Sequence, residues 1–172
     1  MKKVSLRRPR EGDAQSRQRL GFHPVILQGY GIALSAPQTM SLEQAFQWVQ
    51  KVEDCATAWI ITVDDKLVGE VRLHSATPED RRVQLAVGLV DPAMLGQGVG
   101  AAAIGQCLAK AFQDFGFHRV GLRVLASNTR AIICYQRCGF KIEGREKESA
   151  WVNDCWEDDV LMGMTEKDFV QA

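Results

Sequence analysis

The sequence predicts one α/β (α+β) domain: a mixed, mostly antiparallel central sheet with helices on both faces. Three observations predict it. The apolar period switches repeatedly between the alternation that marks strands and the spacing of three to four that marks helices. Three β-rich runs between residues 56 and 90 are joined only by short turns, as antiparallel strands allow. Residues 83–125 then read strand, helix, strand, the order that makes a parallel right-handed crossover. A length of 172 residues suits a single domain over 1–172, with an ordinary core.

Taken in order, "VSLRRP" ends at Pro9 and forms a first strand, and a polar helix follows from Asp13 to Leu20. "GFHPVILQGYGIALSAPQT" is broken by glycine and proline, so it reads as loop with one helical turn. Ser41 and Gln44 make a capping box before Leu42, Ala45, Phe46, Val49 and Val52, which recur at helical spacing. "AWIITV" and "KLVGEVRLH" form a hairpin across Asp64–Asp65, and "RRVQLAVGLV" is a further strand closed by Asp91–Pro92. From Val99 the period turns helical, with Ile104, Leu108, Ala111, Phe112 and Phe115 on one stripe that ends at Gly116. "RVGLRVLA" is a strand, "NTRAIICYQRC" a helix stopped by Gly139, and "FKIEGREKE" and "WEDDVLMGM" a last pair of strands. No repeat or linker interrupts this order.

Composition narrows the function. Formal net charge is zero, which argues against nucleic acid as a partner. The basic first twenty residues read as a solvated strand and helix. No apolar run is long enough to span a membrane, and none stands behind the basic start as a signal peptide would require, so a cytoplasmic protein is expected. The five cysteines (Cys55, Cys107, Cys134, Cys138, Cys155) are odd in number and read as free buried thiols in a reducing compartment. Cys134 and Cys138 share a helical face, but His23, His74 and His118 are scattered, so no metal site is expected.

"LGQGVGAAA" at 95–103 carries most of the functional content. Glycine costs a helix about 1 kcal/mol relative to alanine, yet Gly96, Gly98 and Gly100 alternate at a helix start. The first N–H groups of a helix lack partners and sit at the positive end of its dipole, where a phosphate can approach glycine backbone closely. A tight turn, the alternative, needs only one glycine. No lysine follows Gly100, which excludes a P-loop. Gly98–Ala103 satisfies G-x-G-x-x-A and leaves a small Rossmann-type oxidoreductase open. Against that stand the intervening Asp91–Leu95 and the antiparallel strands before it.

"AVGLVDPAMLGQGVGAAAI" resembles the acetyl-CoA-binding segment of the GNAT acetyltransferases, and "NTRAIICYQRCGF" at 128–140 resembles the family's second signature. "LRRPREGDA" and "VNDCWEDDVLM" extend the likeness toward the ribosomal-protein and spermidine N-acetyltransferase (RimJ/RimL-like) branch, with the core motifs at 83–140. The resemblance implies that Gly88, Leu89 and Val90 offer main-chain groups to the pantetheine arm, and that Gln97, Gly98, Val99, Gly100 and Ala101 hold the pyrophosphate. It implies that Asn128 meets the cofactor near its pantetheine and that Tyr135 points its hydroxyl at the sulfur. Acetyl-CoA would be the co-substrate, without a metal. The acceptor would be an amine, either a small molecule such as a polyamine or a protein N-terminus, and a homodimer is compatible. Leu95 departs from the Arg or Gln usual at its place.

The chemistry so implied is direct acetyl transfer to a primary amine. An alkylamine with a pKa of about 10.4 must lose a proton before it attacks. "RRVQLAV" offers only Gln84, so Glu70 and His74 on the adjacent strand are the candidate bases, with a water chain as the alternative. Asp154, Glu157, Asp158 and Asp159 read as a solvated turn or, alternatively, as a lure for a cationic acceptor. A catalytically weak CoA-binding or regulatory module of the same fold remains a competing reading.

Overall fold

Asp64 and Asp65 adopt left-handed backbone angles (φ 48° and 67°), the conformation that closes a two-residue hairpin between right-twisted strands. They join β2 (Ala58–Val63) to β3 (Lys66–Thr77). In this computed structural model, which describes residues 2–170, β1 (Val4–Arg7) pairs antiparallel with β2, and β3 with β4 (Arg82–Leu89). The chain then crosses through α4 (Val99–Ala109) to β5 (Arg119–Leu125), which is parallel to β4. The last strands, β6 (Lys141–Val152) and β7 (Cys155–Thr165), complete a seven-stranded sheet in the order β1-β2-β3-β4-β5-β7-β6. β7 therefore lies inside, against β5, and β6 forms the edge. With β4–β5 as its one parallel pair, the sheet lacks the run of parallel strands that a Rossmann oxidoreductase requires, and that alternative is set aside.

Helices cover both faces. On one, α4 buries Val99, Ala103, Ile104 and Leu108 against Val71, Leu73, Val83, Leu85, Val120 and Met162 of the strands. On the other, Val52 of α3 (Leu42–Asp54) packs on Ala58, Ile60 and Leu67. The capping box forms: Ser41 Oγ accepts from Gln44 N, and Gln44 Oε1 accepts from Ser41 N. α1 (Asp13–Leu20), α2 (Pro24–Leu27, running into a 3-10 turn Gln28–Tyr30), α5 (Thr129–Arg137) and α6 (Glu166–Val170) complete the set.

Three local expectations are corrected. A π-turn at Lys110–Asp114 follows α4, and its wider winding rotates Phe115 off the apolar stripe to 45% exposure. A short C-terminal helix, α6, follows β7 where the periodicity showed none. The basic N-terminal segment is a solvated face only in part: Lys2, Lys3, Arg8, Arg10 and Arg19 are exposed, but Arg7 and Arg17 are drawn in. Arg7 makes a two-pronged pair with Asp13 (both bonds 2.7 Å), and Arg8 donates to the carbonyl oxygens of Cys55 and Ala58. Arg17 is 4% exposed, lying between the rings of Phe22 and Trp48 and donating to Gly21 O. The Arg7–Asp13 pair fastens α1 to β1, and Arg17 packs α1 against Trp48 of α3. Among the described residues no helix is long and apolar enough to cross a membrane, and all five cysteines are free.

Candidate active site

β4 and β5 pair over only three positions, Arg82↔Arg119, Val83↔Val120 and Gln84↔Gly121. Beyond these the strands diverge, and a cavity of about 1050 Å³ occupies the opening. The Gln84 side chain lies over Gly121 at the point of divergence, where a β-carbon would come within 2.9 Å of its Nε2. The cavity thereby joins the two faces of the sheet. Leu89, the first turn of α4 and one side of α5 line it from the first face; Tyr30, His74 and Gly88 line it from the second.

Gly96 and Gly98 have φ values of 70° and 75°, which glycine adopts without strain, and they turn the chain into α4. Ala102 is the first residue of that helix whose N–H finds a helical acceptor, Gly98 O at 3.0 Å. The N–H groups of Val99, Gly100 and Ala101 have no acceptor among the described residues. With the helix dipole they form a seat for an anion. Gly98, Gly100 and Ala101 line the cavity; the Val99 side chain is buried in the core, and Gln97 accepts from Lys2 Nζ at 3.4 Å outside it. Arg130 and Arg137, two turns apart on α5, also line the cavity, and neither has a carboxylate partner among the described residues.

Of the three strand residues, Gly88 and Leu89 reach the cavity and Val90 does not. Val90 N–H is spent on Val68 O at 2.8 Å, so by alternation the main-chain groups of Leu89 and Val87 face the opening. Asn128 lines the cavity with its amide already committed. Its Oδ1 caps α5 by accepting from Ala131 N (3.2 Å), and its Nδ2 donates to Gly29 O (3.0 Å).

Tyr135 lines the cavity from α5, edge-on to Phe140 with ring centroids 6.0 Å apart. Burial, reinforced by the nearby Tyr30, holds its phenol well above the ordinary range. Tyr30 went unrecognised in the sequence. Its hydroxyl lies so close to Gly88 that any β-carbon there would overlap it, and packing at that end raises its phenol although the residue as a whole is 52% exposed. A glycine inside a strand marks such close approaches, and Gly88 was the available signal.

Glu70 is not brought to the cavity. It shares a sheet face with Arg72 and His74 and pairs with Arg72 at 3.3 Å, and burial raises its carboxyl above the usual range. His74 does line the cavity. Burial, and then the charge of Arg72, push its imidazole below its ordinary value. It is re-aimed by a bulge in which Ser75 has φ 50°, and its Nδ1 lies 3.0 Å from Ser75 Oγ.

The acidic segment departs from a solvated turn. Asp158 binds Arg145 and accepts from Glu148 N, Glu157 accepts from Ser127 Oγ, and Asp159 is 5% exposed. Asp159 accepts from Ser149 Oγ at 2.8 Å and pairs with Arg123 at 3.3 Å, and Glu146 pairs with the same Arg123 at 3.7 Å. These three residues line the second-face side of the cavity. Asp154 alone of the four stays exposed without an ion pair among the described residues. Among those residues no cluster of three or more His, Cys, Asp or Glu could hold a metal.

Comparison with known proteins fits this geometry. The profile of the Acetyltransferase (GNAT) family matches residues 26–140. Spermidine N(1)-acetyltransferase of Vibrio cholerae serotype O1 is 27% identical over 92 residues, 54% of this chain and 53% of that protein, so the match spans about half the relative's length. A crystal structure of spermidine N-acetyltransferase from Vibrio cholerae in complex with CoA and spermine superposes with a TM-score of 0.78, at 22% identity over 97% of this chain and 98% of that one. An acetyltransferase (GNAT family) from Bacillus anthracis gives 0.80 at 16% identity over 97% and 99%. The glycine-rich entry to α4, the parting of β4 from β5 and the match across residues 26–140 agree, and the chain belongs to the Acetyltransferase (GNAT) family.

Proposed function

We propose that this protein transfers an acetyl group from acetyl-CoA directly to a primary amine, and that its acceptor is a polyamine-like cation. One observation carries the reading: the opening between β4 and β5 connects an anion seat on one face of the sheet to a polar chamber on the other. A cofactor with a diphosphate at one end and a reactive thioester at the other fits such a passage.

In this reading the N–H groups of Val99, Gly100 and Ala101 hold the diphosphate, and Arg130 and Arg137 supply the positive charge that Leu95 does not. The main-chain groups of Leu89 align the pantetheine arm as an added strand would. The thioester supplies the activated acetyl group. His74 is neutral at pH 7, and with Nδ1–H donating to Ser75 Oγ its Nε2 is left to accept the amine's proton, directly or through water. Tyr135 keeps its proton until a thiolate forms beside it and then donates it, since the same burial that raises the phenol also disfavours the thiolate. Glu70 acts through the field it sets up with Arg72 rather than as the base. Glu146 and Asp159 carry two negative charges against the single charge of Arg123, a balance that favours a cationic acceptor. The spermidine acetyltransferase activity named for the Vibrio cholerae relative supports the same acceptor class.

The test is thiol release from acetyl-CoA with a panel of polyamines, monoamines and N-terminal peptides. Turnover with spermidine, and a fall in kcat of about 10²-fold or more in Tyr135→Phe with acetyl-CoA affinity unchanged, is the expected result. Binding of acetyl-CoA without acetylation of any amine would instead favour a CoA-binding module.

A further inference from the structure

We propose that Cys134 and Cys138 form a dithiol site that reacts with low-molecular-weight disulfides and closes to an intrachain disulfide, which blocks the cofactor seat. The two residues stand one turn apart at the end of α5, both half-buried. Their sulfurs pack against the first turn of α4. Cys134 Sγ lies 3.9 Å from where a β-carbon on Gly100 would project, and Cys138 Sγ lies 3.9 Å from Ala101 O. Cys134 also lines the cavity. The pair thus sits beneath the three N–H groups assigned to the diphosphate.

The chemistry of the two thiols differs in the required sense. Cys134 faces the cavity, where a disulfide can reach it, while Cys138 does not line it and has its thiol directed at Ala101 O. The neighbouring Cys138 and then the charge of Arg137 favour the Cys134 thiolate, and the same proximity and burial keep Cys138 protonated. Cys134 is the attacking thiolate and Cys138 the thiol that resolves. The Cys134 thiolate attacks one sulfur of a disulfide RSSR, forms Cys134–S–S–R and releases RS⁻. Cys138 then loses its proton and attacks Cys134 sulfur, forming the Cys134–Cys138 bond and releasing a second RS⁻. The protein is oxidised by two electrons and RSSR is reduced to two RSH. Helical side chains four apart have β-carbons about 5–6 Å apart, wider than a disulfide's span, so the backbone must give. It can give here: Cys138 already leaves helical geometry (φ −82°, ψ 0°), and Gly139 follows at φ 96°. The other cysteines do not match this setting. Cys55 sits off the cavity with its Sγ 3.6 Å from Thr57 Oγ1, Cys107 is fully buried, with its thiol pushed up to about 12, and Cys155 is exposed on β7.

The crosslink does not depend on the acetyltransferase reading, although its effect on acetyl-CoA does. The native protein is incubated with glutathione disulfide, with and without acetyl-CoA, then digested with trypsin without reduction. The expected product lacks two hydrogens and joins peptide Ala131–Arg137 to Cys138–Lys141. It forms more slowly with acetyl-CoA present and binds acetyl-CoA about tenfold more weakly, and dithiothreitol restores binding. Cys138→Ser should stop at the mixed disulfide on Cys134. Glutathione found only on Cys155, with Cys134 and Cys138 still free, overturns the dithiol; unchanged acetyl-CoA affinity in the crosslinked protein overturns the blockade. Failure of the reduced protein to bind acetyl-CoA would count against the acetyltransferase reading while leaving the crosslink to be judged by the peptide map.

Discussion

Gly88 shows how a single missing β-carbon can organise a site. The space it leaves admits the Tyr30 hydroxyl, so Gly88→Ala should expel that ring and lower kcat/KM at least about 10-fold, while stability changes by little more than about 1 kcal/mol. Steady-state kinetics beside a urea melt checks both halves. His74 makes a second prediction. Its imidazole titrates below the ordinary value, so kcat/KM should stay flat near pH 7 and fall as pH drops through that lowered pKa and the base becomes protonated. His74→Gln should remove the limb and most of the rate; Glu70→Gln should shift the limb and keep it. A pH–rate profile of the three proteins decides. That Tyr135 and the glycines opening α4 should share one cavity was legible because they lie inside local motifs. Tyr30 was not, since its partner is 58 positions away in the chain and the loop that carries it has no periodicity.

Elements tell a similar story on a longer scale. The capping box, the Asp64–Asp65 turn, the start of α4 and the span of α5 follow from short-range chemistry, and they appear within a residue of where the sequence places them. The π-turn after α4 and the placing of β7 inside β6 follow from long-range packing, which no window of a few residues contains. Asn128 links the two regimes, since one amide both caps α5 and holds Gly29, in the 3-10 turn that follows α2 99 positions earlier in the chain. Asn128→Ala should cost about 1 kcal/mol of stability through the lost cap and also raise KM for the acceptor, because Tyr30 shares the tethered turn. Denaturant unfolding and acceptor titration separate those effects. Asn128→Asp, which keeps the cap and loses the donor to Gly29, should retain stability better than it retains acceptor affinity.

At the scale of the molecule, neutral net charge conceals a divided cavity, with Arg130 and Arg137 toward the α4 end and Glu146 and Asp159 toward the other. If this division sorts an anionic cofactor from a cationic acceptor, Arg130→Gln with Arg137→Gln should weaken acetyl-CoA binding and flatten its dependence on salt, read by calorimetry at two ionic strengths. A formal charge total carried none of this, because segregation is a property of the folded surface. The parting of β4 from β5 has a mechanical side as well. Two central strands that separate leave their inner amides, Val87 and Leu89 among them, to exchange with solvent faster than their neighbours. A bound pantetheine arm would bridge the halves like a zip fastener, so acetyl-CoA should slow exchange at those amides and raise the melting temperature in step with its concentration.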